Sequence, residues 1–438
     1  MIMSAISAEA DIAFVQDLVG KACSAGADEA QARLSHNERV EVDFETRQVS
    51  MLRTTYDDDS LLTVFKATRK GSAAITGRAT EGIARAVAEA LAAAEAAPAD
   101  PANSIAITEP GPPTVYGPEA ADRENMIDRA LEHIDQMARE FPAIVTRNAY
   151  HQFNRTRRSF ANSGGLTRQE IRGRYSFWTL FAGRRNGSAT SFNFSGASSY
   201  EPFGRLIEVG SLRQLYGDTV RSFDPRPAPG KFVGDVIMHA DALYDMVIAP
   251  LTRVLGGYSL LSGTSPYKDR IGQTVASTGF SLLNRPTAMN FPEGMDFDGF
   301  GIPTRELDVI REGVLREFLV DFYISRKLGL KQTAGWSNFV VAPGTKSTDE
   351  IIRKTDRGIF LTRYSGGSPG DNLDFSGIAK NAFYVEDGQV RYALAETMLS
   401  GNLRDLLLAI RDISRDSVNF GSAEYPTIAA GGVTIHGH

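Results

Sequence analysis

The sequence predicts an α+β protein, with two related N-terminal α+β domains at 1–110 and 111–225 and a β-rich, barrel-like C-terminal domain at 226–438. Three observations predict it. Helix-periodic and strand-alternating stretches follow one another in the same order twice. Two proline-rich stretches, Pro98–Pro118 and Asp224–Gly230, punctuate the chain. After the second, Gly, Ser and Thr separate short alternating runs, the pattern of a sheet that curves on itself.

The elements follow in order. Ile12-Ala13-Phe14-Val15-Gln16-Asp17-Leu18-Val19 has helical apolar spacing, and Gly26 stands where such a helix stops. Alternation predicts strands over Glu38–Phe44 and Leu61–Ile75. Glu81–Ala97 is rich in Ala, Glu, Leu, Ile and Val with no proline before Pro98, which predicts a helix. Six prolines between Pro98 and Pro118 mark a linker or extended connection. A helix over Arg123–Phe141 and strands from Ile144 restart the pattern. The halves also echo each other in phrase. Thr63-Val64-Phe65, Arg69 and Gly71-Ser72-Ala73 recur at the same offsets as Thr179-Leu180-Phe181, Arg185 and Gly187-Ser188-Ala189. In both, a strand meets a tight polar turn. Beyond Gly230, helices are expected near Ala242–Leu255 and Thr348–Thr355 among short strands.

Charge and composition exclude several classes. A net charge of −6 leaves no broad basic surface for nucleic acid. The runs Arg155-Thr156-Arg157-Arg158 and Arg184-Arg185 read as solvated strand ends. Cys23 is the one cysteine, in a helix-like stretch, so no intrachain disulfide forms, as suits a reducing compartment. Glu9 and Asp11 stand where a secretory signal would be basic and apolar. No uninterrupted apolar run reaches bilayer-spanning length, so a cytoplasmic protein without membrane contact is expected.

Familiar catalytic patterns are missing. None of His36, His133, His151, His239, His436 or His438 is followed by glutamate, so neither His-Glu-x-x-His nor its one-residue-longer form occurs. His239 precedes Asp241 and Asp245, offering one imidazole and two carboxylates, and reads as a helix-start residue. His436-Gly437-His438 at the end of the sequence reads as incidental. Gly257-Tyr258-Ser259-Leu260 lacks the second glycine of a nucleophile elbow. Pro343-Gly344-Thr345-Lys346-Ser347 has Phe339 where a phosphate loop needs its first glycine. Asp298-Gly299-Phe300-Gly301 lacks the third glycine of a dinucleotide fingerprint.

Longer phrases carry a resemblance. Gly234-Asp235-Val236-Ile237-Met238-His239 through Leu255, Gly263-Thr264-Ser265-Pro266-Tyr267, Ile271-Gly272 and Asp298 through Arg305 occur in an ordered series. Arg311-Glu312-Gly313-Val314-Leu315, Tyr323 through Gly329, Arg357-Gly358-Ile359 and Asp374-Phe375-Ser376 continue it. Val385-Glu386-Asp387-Gly388 and Ser400 through Asp405 complete it. Gly26-Ala27-Asp28-Glu29, Arg69 through Ala73 and Asn162-Ser163-Gly164-Gly165 agree more loosely. Together these resemble the TldD/PmbA family, also labelled modulators of DNA gyrase, in its PmbA/TldE-like branch.

The resemblance implies dimers enclosing a cavity, where a TldD-type subunit holds zinc with a His-Glu-x-x-x-His helix and a C-terminal cysteine. Here the helix position, Asp241 to Pro250, has no such residues, and the cysteine position falls on Phe420. The expectation is therefore a non-catalytic subunit of a TldD/TldE-type metallopeptidase complex that cleaves unfolded peptides, with no catalytic, cofactor or metal residue of its own. Zinc is expected in a TldD-like partner subunit, extended peptide is the expected substrate, and homodimers are left open. The competing expectations are a self-associating peptide-binding or scaffold protein without a protease partner, and a hydrolase built on an Asp/Glu pair. Gly263, Gly272, Gly313, Gly329, Gly358 and Gly388 are read as turn residues, Tyr323 and Leu328 as core or interface.

Overall fold

The computed structural model describes residues 7–333 and 335–437. Helix α1 (Ala8–Ser24) starts at Ser7, whose hydroxyl accepts from the amide of Ala10 at 3.1 Å. It buries Phe14, Val15, Leu18, Val19 and Ala22, one stripe at helical spacing. Strands β1 (Glu29–Phe44), β2 (Val49–Lys66) and β3 (Arg69–Ile75) follow, then α2 (Thr80–Ala96). After β4 (Thr114–Tyr116) the order repeats: α3 (Arg123–Glu140), β5 (Ile144–Asn162), β6 (Thr167–Arg185), β7 (Ser188–Ala189), β8 (Asn193–Ser199) and α4 (Leu212–Arg221).

All eight strands share one sheet, ordered β3-β2-β1-β5-β6, with β4, β7 and β8 on the far side of β6. The two units meet at β1 and β5, which pair antiparallel from Gln31 opposite Asn162 to Phe44 opposite Ala149. Helices α1 and α2 share one apolar core with Leu34, Leu62 and Val64, and α3 and α4 share another with Phe153, Phe177 and Phe181.

The strands run longer than alternation predicted, and Leu61–Ile75 is two strands around a turn. That turn is Ala67-Thr68, both at positive φ, between Lys66 and Arg69. In the second hairpin the turn is Asn186-Gly187, between Arg185 and Ser188. The matching phrases thus hold different places in their hairpins, because Asn-Gly accepts positive φ at both turn positions most readily. The Pro98–Pro118 stretch is an extended connection laid against the protein. Ala102, Ile105 and Ala106 are buried, and Asn162 Nδ2 donates to the Ala106 carbonyl at 2.8 Å.

The C-terminal unit begins with β9 (Lys231–Met238), α5 (Ala240–Leu243), a π-helical turn (Tyr244–Ile248), α6 (Ala249–Val254) and α7 (Gly257–Leu261). Then come β10 (Leu282–Asn284), β11 (Leu307–Arg311), β12 (Val314–Leu315), α8 (Phe322–Leu328), β13 (Phe339–Val341) and α9 (Thr348–Arg353). The last elements are β14 (Arg357–Ser365), β15 (Asp374–Glu386), β16 (Gln389–Ala393), β17 (Thr397–Asn402), α10 (Leu403–Leu408), β18 (Ile410–Asn419) and β19 (Ala423–Gly437). The path β9-β14-β15-β17-β19 closes, because β19 pairs back onto β9 from Ile428 opposite Met238 to His436 opposite Lys231. The barrel-like expectation is met by five closed strands. Leu243, Met246, Val247, Ile248, Leu251 and Val254, from the helical stretch after β9, belong to the largest core.

Alpha1 is held to the sheet by charge as well as by its apolar stripe. Asp11 is fully buried and accepts from His36 Nε2 at 3.1 Å and from the guanidiniums of Arg78 and Arg157. Burial alone would raise its pKa. The bonds from His36 and Arg78 and the charge of Arg157 outweigh it and leave the carboxyl below its usual value. Removing one partner from such a buried network leaves the others uncompensated. Asp11→Asn is therefore expected to lower unfolding free energy by about 3–5 kcal/mol, read from denaturant titrations. A loss below about 1 kcal/mol would mean that the network behaves as a surface ion pair.

Candidate functional site

Where β9 ends, His239 has extended backbone and α5 starts. The helix then widens: the amide of Ala249 bonds the carbonyl of Tyr244, five residues back. Pro250 follows, with no amide to close an ordinary turn onto Met246 and a ring that crowds that carbonyl, so a wider turn relieves the clash. As a result Ala240, Asp241, Tyr244 and Asp245 all face one cavity of about 520 Å³. Trp178 of β6, Phe194 and Ser195 of β8, Arg363 of β14, and Phe420 and Tyr425 flanking the last turn line the rest. The cleft lies between the N-terminal sheet and the barrel.

Asp241 is saturated with donors. The hydroxyls of Ser195 and Ser211 each donate to it at 2.6 Å, and His239 Nδ1 stands 2.9 Å from Oδ2. The Asp241 amide donates to that nitrogen at 3.4 Å, so Nδ1 is the acceptor that caps the helix start. Asp245 has no hydrogen-bond or ion-pair partner among the described residues. Burial lifts its carboxyl above the usual value, against the pull of the Arg363 charge.

Arg363 is only 6% exposed. Its Nη2 donates to Ser191 Oγ at 3.0 Å, its guanidinium lies 4.0 Å from the centre of the Phe192 ring, and its buried Nε has no hydrogen-bond partner among the described residues. Burial brings its pKa down to about 10, with Asp245 opposing.

Strand β8 is the outer wall, and its free edge turns toward the cavity. The carbonyl of Gly183 in β6 accepts from Thr190, while the next amide, Arg184, bonds Ala143 beside β5. Odd residues of β6 thus face β8, and their partners Asn193, Ser195, Ala197 and Ser199 carry the ladder. The even residues of β8 point outward. Phe192 accepts from Asn381 Nδ2 at 3.1 Å, and the Ser198 amide donates to the Phe420 carbonyl at 3.0 Å. Between these capped ends, Gly196 and the carbonyl of Phe194 have no backbone partner on the outer side among the described residues. Arg174 and Ser198 both bond Glu293 at 2.8 Å and fix this wall to the C-terminal unit.

His239 does reach the cleft region, bound to Asp241. His133 and His151 are core residues of the second α+β unit, and His36 belongs to the Asp11 network. His438 lies outside the described residues. Gly263, Gly272, Gly313, Gly329 and Gly388 have positive φ, as turn residues would. Gly358 differs: it lies in β14, where a Cβ would stand 2.3 Å from the Asp235 carbonyl, so close strand approach explains it. Tyr323 joins the units by donating to Asp100 at 2.8 Å. Arg363, Trp178 and Ser195 were not singled out by sequence, and no local spacing marks them.

Residues that could hold zinc do not fit one here. Among the described residues no three His, Cys, Asp and Glu side chains gather in a metal-binding group. Asp241 has its oxygens engaged, and Phe420 offers no donor atom. The cavity-facing trio Ala240, Asp241 and Asp245 has the spacing of a His-Glu-x-x-x-His motif, one residue earlier than the Asp241–Pro250 frame read from sequence.

Comparison with known proteins defines the class first. Residues 229–437 match the PmbA/TldA metallopeptidase C-terminal domain, so this is a metalloprotease-like protein by descent. The chain is 24% identical over 427 residues to metalloprotease PmbA of Escherichia coli O157:H7, covering 93% of each. It is 24% identical over 422 residues to the metalloprotease PmbA homolog of Haemophilus influenzae, covering 92% of this chain and 90% of that one. The crystal structure of TldE from Thermococcus kodakarensis superposes with a TM-score of 0.85 at 20% identity, over 97% of this chain and all of that one. The chain belongs to the TldD/PmbA family. No helix among the described residues is long and apolar enough to cross a membrane.

Proposed function

We propose that this chain is the non-catalytic, metal-free subunit of a cytoplasmic TldD/TldE-type metallopeptidase complex, holding extended peptide while a TldD-like partner supplies zinc. The observation that carries this reading is the donor set of the cleft. At the spacing where the zinc motif needs two imidazoles, the wall presents Ala240 and Asp245, and Phe420 faces the same space. Peptide holding is supported by the open edge of β8, where Gly196 and Phe194 offer main-chain groups to an added strand. The aromatic rings of Trp178, Phe194 and Tyr425 give side chains of any sequence an apolar surface.

The test is co-expression with a relative that contains His-Glu-x-x-x-His. The purified chain alone is expected to carry substoichiometric zinc and to leave an unfolded peptide intact. With its relative it is expected to elute as one complex whose peptide cleavage stops on adding chelator. Stoichiometric zinc in the isolated chain, or cleavage by it that a chelator abolishes, would overturn the reading.

A further inference from the structure

We infer that Arg363 is a carboxylate anchor, which fixes the C-terminal carboxylate of a peptide lying antiparallel along the open edge of β8. The inference rests on the peptide-holding reading above and names the chemistry that the cleft selects.

Three observations carry it. First, Arg363 is nine-tenths buried, lines the cavity, and has a guanidinium nitrogen without a hydrogen-bond partner among the described residues. A buried cation left unpaired is costly, so the site favours a ligand that supplies an anion. Neighbouring charges do not supply it. Lys380, opposite Arg363 in the β14–β15 ladder, is paired with Glu396, and Asp245 makes no ion pair within contact distance.

Second, the anchor sits at one end of the edge. Its guanidinium stacks on Phe192 and bonds Ser191, immediately before β8 begins at Asn193. An added strand running antiparallel to β8 ends there, and its terminal carboxylate meets the guanidinium. A parallel strand would bring its α-ammonium to the same place, where like charges repel. Planar, forked donors suit a carboxylate.

Third, the edge is closed at both ends, by Asn381 on the Phe192 carbonyl and by Phe420 on the Ser198 amide. From Phe192 to Ser198 at about 3.4 Å per residue there is room for roughly four to five residues of added strand. A peptide therefore cannot run on past Phe192 in the plane of the sheet. An aspartate or glutamate side chain in the last position offers the same chemical group, and peptide chemistry separates the two sources.

The experiment is calorimetric titration of the full-length chain with Ac-Thr-Val-Thr-Ala as the free acid, the same peptide as its C-terminal amide, and Ac-Thr-Val-Thr-Glu amide. The free acid is expected to bind about tenfold more tightly than the first amide, a charge-assisted bond's worth. The Glu amide matching the free acid would assign the site to side-chain carboxylates and overturn the terminal assignment. Arg363→Met is expected to remove the acid–amide difference, and a tenfold difference that survives in this variant overturns the anchor. Asp245→Asn, which removes the opposing charge and leaves Arg363 in place, is expected to tighten the acid selectively. Equal binding of acid and amide by the unaltered chain overturns the anchor and leaves peptide holding intact. Absence of binding by every peptide overturns both.

Discussion

Four substitutions, Ala240→His, Asp241→Glu, Asp245→His and Phe420→Cys, are expected to give a chain that retains one zinc ion through gel filtration, where the unaltered chain is expected to carry it only substoichiometrically. Ala240, Asp241 and Asp245 face the cavity across the widened turn, and Phe420 lines it from the other side. In an ordinary α-helix, residues five apart diverge by more than a third of a turn, and two imidazoles at that spacing would part. The π turn brings them back to one face. Two imidazoles and a thiolate are a sufficient zinc set with one position left for water. Affinity tighter than micromolar, about 8 kcal/mol or more, is the expected scale for a site on a preformed wall.

Phe420→Cys alone, or the two histidine substitutions without it, should retain much less metal. The decisive measurement is zinc per chain by elemental analysis, beside circular dichroism to show that each variant is folded. A folded fourfold variant without zinc would mean that the Ala240–Asp245 frame is wrong.

The comparison with the sequence turns on distance along the chain. Local signals were legible: the Arg123–Phe141 helix is α3 within a residue, and Pro98–Pro118 is an extended connection whose one strand is the short β4. The resemblance placed Phe420 at the cysteine position, and Phe420 does line the cleft. What pairs across long separations was not legible. Nothing in the alternation of β1 says that its second partner is β5, more than a hundred residues on, or that β19 returns to β9 to close the barrel. The widened turn was not legible either, since a π turn changes which residues share a face and Pro250 alone hints at it. Arg363 was invisible because its stacking partner, Phe192, comes from the other unit.

Acid should weaken this fold through two histidines that sequence could only count. His133 is 1% exposed and His151 is fully buried, and burial lowers the pKa of each from 6.5 to about 4, for His151 against the bond to the Met126 carbonyl. His151 Nδ1 donates to that carbonyl at 3.2 Å, and His133 Nε2 lies 3.3 Å from the Tyr216 hydroxyl. His133 Nδ1 and His151 Nε2 have no hydrogen-bond partner among the described residues, so nothing there stabilises a second proton on either ring. As pH falls from 6.5 toward 4, the unfolded chain takes up these protons and the folded chain does not. Stability therefore falls with pH across this window, by about 3 kcal/mol for each histidine.

Asp298 acts in the opposite direction. Burial raises its pKa to about 6, against the amide bonds from Phe300 and Ile302, so the folded state protonates first and gains about 3 kcal/mol as pH falls from 6 to below 4. Asp235 and Asp245, raised by burial, lean the same way. His36 is raised by its bond to Asp11, so its contribution is complete below pH 6.5 and constant through the window. The lowered Asp11 carboxyl loses its contribution only at still lower pH.

The difference between variants isolates the histidines. His133→Gln with His151→Gln should remove up to about two protons from the uptake on unfolding near pH 5. The stability–pH slope of the double variant should shift accordingly, whatever its stability at neutral pH. Denaturant titrations at half-unit steps from pH 7 to pH 4 read that slope directly. Identical slopes in the two proteins would mean that both rings take a second proton without leaving the folded core.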